Sequence, residues 1–432
     1  MRPYLLAPRF AANRLWLAAR EVPSWHIVPV RTGTVTDLIS GSQIITFTNS
    51  SPAWGFNSSG VLVQPTSNVP FIEYDPATGS ALGWRVWDAV TNLKTNSESV
   101  SAGFTQQQST VTSDVIAAPS GAQTADLLVP NTTTASHASF NASIAFSSST
   151  LYTWSLFLKA GGYTTAQFAF TSAFGNSTAW ANFILSGAGS VGFKGAGGTA
   201  GIQALPNGWY RCFLTATSGA SATTGGPVFI ALDSDRNARD PSFAGNGVDG
   251  VYAWGAQINT GPLAPYVPTT SLTASSTADV ASITGAAFAG IWNQAASTVF
   301  ASTAEVYGAS GSTIYNVSDG TASNRLIAQY NSPTSFQFRV ITGGVDQVNI
   351  SQAPGISAGD NVRYVAAYST DDFAGCINNG TLAQDVTVTL PIVDRMRIGA
   401  NINGVNFING YIREMATLKS RRPNANLQAM MQ

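Results

Sequence analysis

Tyr152-Thr-Trp-Ser-Leu-Phe-Leu158 carries the first decision about the fold. Tyr152, Trp154, Leu156 and Leu158 alternate with Thr153, Ser155 and Phe157, the two-residue period of a strand with one face buried. The same period returns further along. Trp209, Arg211 and Phe213 alternate with Tyr210, Cys212 and Leu214, while Val228, Ile230 and Leu232 form another face. Tyr252, Trp254, Ala256 and Ile258 read as one more. Turns rich in Gly, Ser and Asn separate these runs, with no helical periods between them. That pattern predicts an antiparallel sandwich or jelly roll over about 91–270.

Beyond a Pro- and Thr-rich stretch at 261–278, read as a linker, the style repeats over 279–432. Phe336, Phe338 and Val340 alternate, as do Val362, Tyr364, Ala366 and Tyr368, and then Val386, Val388 and Leu390. Asn378-Asn379-Gly380 suits a hairpin turn, because Asn and Gly tolerate positive φ. Pro423 to Met431 predicts one short helix with Pro in its first turn. Residues 1–90 hold only short apolar bursts, Ile44 to Thr48, Val61 to Val63 and Phe71 to Tyr74, separated by turn signals. The expectation is an all-β chain: two tandem antiparallel jelly-roll sandwiches after an extended N-terminal attachment region.

Composition supports this and excludes other classes. Only 10% of the 432 residues are charged, against 44% apolar, so surface polarity must come from Ser, Thr, Asn, Gln and Gly. A net charge of −1 argues against phosphate-driven nucleic-acid binding. No stretch approaches the ~20 apolar residues of a membrane span, and Pro8, Arg9 and Arg14 interrupt the early apolar run that a signal peptide would need. Arg2, Arg9, Arg14 and Arg20, with Phe10 and Trp16 between them, read as a docking arm for a partner protein or as a solvated basic tail.

Residues that could carry chemistry are few. Two histidines, His26 and His137, have no nucleophile phrase to serve, which disfavours triad catalysis. Glycosidic cleavage needs a facing carboxylate pair, and no phrase singles one out. Asp233, Asp235 and Asp240 form the densest acidic group. They suit either a calcium loop or a polar surface loop neutralised by Arg236 and Arg239. No cofactor other than such a structural Ca²⁺ is expected. Tyr163, Trp180 and Phe193 lie near loops or in weakly alternating segments, so they are the candidate rings for packing on a sugar. Trp154, Trp209 and Trp254 fall on the strongest faces and read as core. Cys212 shares a face with Tyr210 and Leu214 and reads as a small core residue.

Several phrases resemble a modular family of tailed-bacteriophage head-fibre and tail-fibre proteins. Phe56-Asn-Ser-Ser-Gly-Val-Leu-Val-Gln64, Asn68-Val-Pro, Tyr74-Asp-Pro-Ala-Thr-Gly79 and Thr91-Asn-Leu93 are similar to that family's lead-in. Tyr152 to Gly162, Asn207-Gly-Trp-Tyr-Arg211, Val251-Tyr-Ala-Trp-Gly-Ala-Gln257 and Tyr266-Val-Pro-Thr-Thr270 resemble its carbohydrate-binding-module-like jelly roll. Asp372-Phe-Ala374, Arg397-Ile-Gly399 and Asn409-Gly-Tyr-Ile-Arg413 are similar to a concanavalin-A/laminin-G-like sandwich. Leu82-Gly-Trp-Arg-Val-Trp87 departs from the family's pattern. The resemblance implies a structural protein of a phage virion, attached by its N-terminal region to capsid, portal or tail. It also implies a homotrimer whose sandwiches contact host-surface glycans. A decoration protein with no receptor role fits the same phrases, and a polysaccharide depolymerase is the enzymatic alternative. The expectation is a binding protein, not an enzyme, located in the virion.

Overall fold

Alternation in the 151–158 stretch becomes the central strand of a β-sandwich. The computed structural model describes residues 21–432 apart from 305, 307–309, 333, 354 and 356–359. Within 91–270 two six-stranded antiparallel sheets pack face to face. The front sheet runs Gly198–Ala204, Trp209–Thr217, Leu151–Gly161, Gly250–Thr260, Gln123–Pro130, Ser109–Ala117. The back sheet runs Ser190–Lys194, Trp180–Ile184, Thr165–Phe170, Pro227–Leu232, Ala138–Phe140, Thr105–Gln107. Tyr152, Trp154, Leu156 and Leu158 point into the core between them, with Tyr210, Cys212 and Leu214 from the neighbouring strand. Phe157 and Trp209 point the other way, onto the outer face of the front sheet.

One expected face is split. Ala256 and Ile258 enter the core, but Tyr252 and Trp254 lie on the outer face. A β-bulge causes this. The register steps from Ser155↔Gln257 to Phe157↔Trp254, so one extra residue sits in the 250–260 strand. Gly255 occupies the bulge at φ +69°, and a Cβ there would come 2.6 Å from the Phe157 ring.

The C-terminal half forms a second sandwich. Its eight-stranded sheet is built around Ala296–Ala304 and Gly410–Leu418, and its seven-stranded sheet around Thr313–Ser318 and Arg395–Ile398. Asn378 takes positive φ in the turn between the paired strands Asp372–Ile377 and Ala383–Asp385, as the Asn-Asn-Gly phrase predicts. The expected tail helix spans Asn424–Met430. Leu427, Met430 and Met431 cover Phe300, Val365 and Cys376 on the outside of the eight-stranded sheet. Cys212 and Cys376 are both free and buried, and burial pushes both thiols upward.

A separate attachment region over 1–90 does not hold for residues 21–90. Trp25–Ile27 pairs with residues 415–417, Ala81–Val86 with residues 410–412, and Thr46–Thr48 with Val280–Thr284. These apolar bursts are strands whose partners lie two to four hundred residues away, which local pattern cannot show. The jelly roll is therefore inserted into the C-terminal sandwich. The chain enters through Thr91–Asn92 and leaves through Ala274–Ser275, and these two segments pair side by side as a neck. The 261–278 linker is packed rather than loose, with Tyr266 buried on the front sheet.

Candidate functional site

Residues 53–63 lie across the outer face of the front sheet. Trp54, Phe56 and Leu62 pack against Phe157, Trp209, Trp254 and Tyr266. The rings meet edge-on or tilted, with Phe56 6.4 Å from Phe157 and Trp254 5.2 Å from Tyr266, distances at which aromatic pairs attract.

A polar clamp fastens this cover. Arg85, 2% exposed, donates from Nη2 to the Ala53 carbonyl at 2.7 Å and from Nη1 to the Trp54 carbonyl and to Glu73 Oε2, both at 3.1 Å. Asp279 lies 3.9 Å from Arg85 Nε and accepts from the Trp87 amide at 2.9 Å. Burial holds the Asp279 carboxyl above its usual range, with the Arg85 charge pulling it back. Glu73 Oε1 accepts from the Phe56 amide at 3.0 Å. Gly55 allows the close crossing: a Cβ there would sit 2.8 Å from Arg85 Nη1 and 2.9 Å from Glu73 Oε1.

Between this cover, the front sheet and the C-terminal sandwich lies a cleft of about 260 Å³. Trp54, Phe56, Tyr74, Trp87, Phe213 and Tyr411 supply its rings, and Glu73, Gln203 and Arg211 its polar groups. Residues 263–265 close one side. Arg211, 7% exposed, donates from Nη2 to the Ala264 carbonyl at 2.7 Å, and its guanidinium lies over the Phe157 ring at 5.3 Å. Burial lowers its pKa to about 10, against the pull of the Glu73 carboxylate, so it is cationic at neutral pH. Rings with a few convergent polar groups at a domain junction are the usual composition of small-ligand pockets.

The residues expected from sequence lie elsewhere. Tyr163 is buried, and its hydroxyl accepts from the Asn246 amide at 3.1 Å. Trp180 is buried in an interior strand of the back sheet. A Cβ on Gly195 would come 2.6 Å from its Nε1, so the segment beyond it covers the ring. Neither presents a free face to a sugar: Tyr163 sits in the connection between Leu151–Gly161 and Thr165–Phe170 but packs its ring into the core, as Trp180 does from its strand. Phe193 is exposed on an edge strand and does not line the cleft.

The three aspartates do not converge. Asp233 pairs with Arg236 at 2.6 Å, Asp235 accepts from Asn182 Nδ2 at 2.7 Å, and Asp240 accepts from Ser136. Among the described residues no cluster of three or more His, Cys, Asp or Glu could hold a metal ion. Their loop seals the outer face of the back sheet, where fully buried Gln167 donates to the Ala238 carbonyl and Asn182 to the Arg236 carbonyl. Arg2, Arg9, Phe10, Arg14, Trp16 and Arg20 lie outside the described residues. His26 Nε2 is 2.7 Å from Glu414, and His137 faces the carbonyls of Gln108 and Phe243. Both are structural contacts. No described helix is long and apolar enough to cross a membrane.

Sequence reading missed the cleft because its walls come from four distant segments. One signal was present: Leu82 to Trp87, the departure from the family phrase, contributes Leu82 and Trp87 to the lining.

No family model and no curated protein matches this chain. Solved structures similar to it include the CBM40 of the Ruminococcus gnavus IT-sialidase, at 11% identity over 32% of this chain and 83% of that one, TM-score 0.29. Domains LG4-5 of the mouse laminin alpha1 chain match at 10% identity over 63% of this chain and 83% of that one, TM-score 0.22. The CBM22-1-CBM22-2 tandem domain of Paenibacillus barcinonensis Xyn10C matches at 8% identity over 78% of this chain and 99% of that one, TM-score 0.22. Likenesses at this level carry no argument about function, and the fold class rests on the strand pairings above.

Proposed function

We propose that this chain is a structural surface protein of a tailed-phage virion, a fibre or spike, and that it binds host-surface glycan in the cleft between its sandwiches. The aromatic lining of that cleft is the observation that carries the reading. Flat rings pack on the apolar face of a pyranose, while Gln203, Arg211 and backbone carbonyls can meet its polar edge. The volume is below the roughly 300–1,000 Å³ of drug-sized sites and suits one or two sugar units. Binding is favoured over cleavage because Glu73 is the one carboxylate on the wall, and it is committed to Arg85 and the Phe56 amide. The virion role and the homotrimer rest on the family phrases, while the docking of the Arg-bearing arm to capsid, portal or tail rests on its charge pattern.

The test is a glycan array of bacterial surface polysaccharides probed with the full-length protein and with its Tyr74→Ala and Gln203→Ala variants, both at partly exposed rim positions. Saturable binding that either variant weakens about tenfold supports the reading. Folded protein that binds no glycan, or binds equally well in both variants, sinks it and leaves a decoration protein without a receptor role.

A further inference from the structure

Arg211 is satisfied differently from the other deeply buried arginine. Arg85 has Glu73 at 3.1 Å and Asp279 at 3.9 Å. Arg211 has no carboxylate within 4 Å among the described residues. Its hydrogen bonds leave from Nη2 alone, to the Ala264 carbonyl and, at 3.4 Å, to Ser155 Oγ. Nε is buried without a partner, and no hydrogen bond leaves Nη1 among the described residues. Glu73 pulls on Arg211 only from beyond ion-pair distance, its oxygens accepting instead from Arg85 and the Phe56 amide. A buried cation is destabilising unless paired, and a buried unsatisfied donor at a cleft wall calls for a group from outside.

We propose that the ligand is a carboxylate-bearing sugar, a uronic or sialic acid unit of a surface polysaccharide, whose carboxylate meets the Arg211 guanidinium while its ring packs on the cleft aromatics. This rests on the cleft being the glycan site. Phe157 behind the guanidinium and the Ala264 carbonyl at Nη2 hold its plane in place. The unused Nη1 edge is left for a charge-assisted bond. Neutral sugars would leave that edge desolvated and unpaired, so the cleft discriminates by the acid group.

Calorimetric titration of the full-length protein decides this. The probes are oligogalacturonate, hyaluronan oligosaccharide and oligosialic acid, each beside its carboxyl-reduced counterpart, with a neutral malto-oligosaccharide as reference. The expected result is that uronate or sialate probes bind, that carboxyl reduction weakens the binding about tenfold or more, and that added salt weakens it too. Which acidic series binds tells the two sources apart. Arg211→Lys should weaken the acidic probe several-fold more than its reduced counterpart. Should that variant fail to fold, the wild-type comparison of acid with reduced form still decides. Equal binding of acidic and reduced forms overturns the acid preference while leaving the glycan cleft intact. Binding of no probe, together with an array that shows no glycan, overturns both.

Discussion

The back sheet of the jelly roll is covered by its own 233–241 loop, the front sheet by residues 53–63 from outside the jelly roll, and the two covers use different chemistry. On the back sheet the outward-pointing amides of Gln167 and Asn182 are met by the loop. Gln167 and Asn182 bond to each other and to loop carbonyls, and the Asp240 amide returns a bond to Gln167 at 2.6 Å. On the front sheet the contact is between rings, the polar bonds are gathered in the Arg85 clamp, and one guanidinium stays unmatched beside a cleft. A covering loop that supplies complementary donors and acceptors leaves no room for a ligand. A cover that packs by shape, held from one side, leaves space where the shapes diverge.

The largest way to break this comparison is Arg85→Met. It strands Glu73 and Asp279 without their cation and frees the carbonyls of Ala53 and Trp54. Removing one partner of a buried charge set costs about 3–5 kcal/mol, read as a lower urea midpoint, and the loosened cover should abolish the proposed glycan binding with it. A loss below about 1 kcal/mol would mean that the rings alone hold the cover.

Lys94 sharpens the contrast between closed and open burial of a cation. It is fully buried, donates to the Thr95 carbonyl and lies 4.2 Å from the Phe104 ring centroid, closed in where Arg211 opens on the cleft. Burial lowers its pKa from 10.5 to about 8. Between those values the unfolded chain holds a proton that the folded one has released, so this group makes stability rise with pH. Buried cysteines and tyrosines oppose it at higher pH, because the fold keeps their protons longer. The difference between wild type and Lys94→Met isolates the effect. The variant should gain at pH 7 and lack a relative rise of roughly 1–2 kcal/mol between about pH 8 and 10. Parallel pH profiles would show that Lys94 stays charged.

The smallest effect belongs to Asp233→Asn. Its pair with Arg236 is partly exposed, so the cost should be about 0–1 kcal/mol. With the three aspartates bound to separate partners, calcium or a chelator should leave the melting temperature unchanged. A calcium-dependent rise would show that the loop rearranges around a metal.

The strands at Leu151–Gly161, Trp209–Thr217, Pro227–Leu232 and Gly250–Thr260 were legible because they are long enough to display a period. Trp209, Arg211 and Phe213 face outward while Tyr210, Cys212 and Leu214 face inward, as their alternation implies. The bulge at Gly255 was not legible, since one added residue reverses a face without changing composition. Nor was the role of the segments before residue 90. Thr46–Thr48 and Trp25–Ile27 are three residues each, too short for a period, and their meaning lies in distant partners. The site was missed for the same reason. Arg211 was in view as a strand residue, but its lack of a counter-ion is visible only in three dimensions. Tyr163 and Trp180 were chosen for weak surrounding pattern, and weak pattern proved no guide to exposure.

The inserted topology also fixes an order of assembly during synthesis. Residues 25–86 leave the ribosome first, yet their main partner, Gly410–Leu418, is made more than three hundred residues later. The jelly roll between them has all its strands by residue 260 and can close while the early segments wait with unpaired edges. Such waiting edges are where a nascent chain is exposed to mispairing. The short length of Trp25–Ile27 and Thr46–Thr48 limits that exposure, since three-residue edges offer little template to a neighbour. Gly410–Leu418, which pairs with Trp25–Ile27, Ala81–Val86 and Ala296–Ala304 at once, is then the strand whose arrival closes the chain into one body.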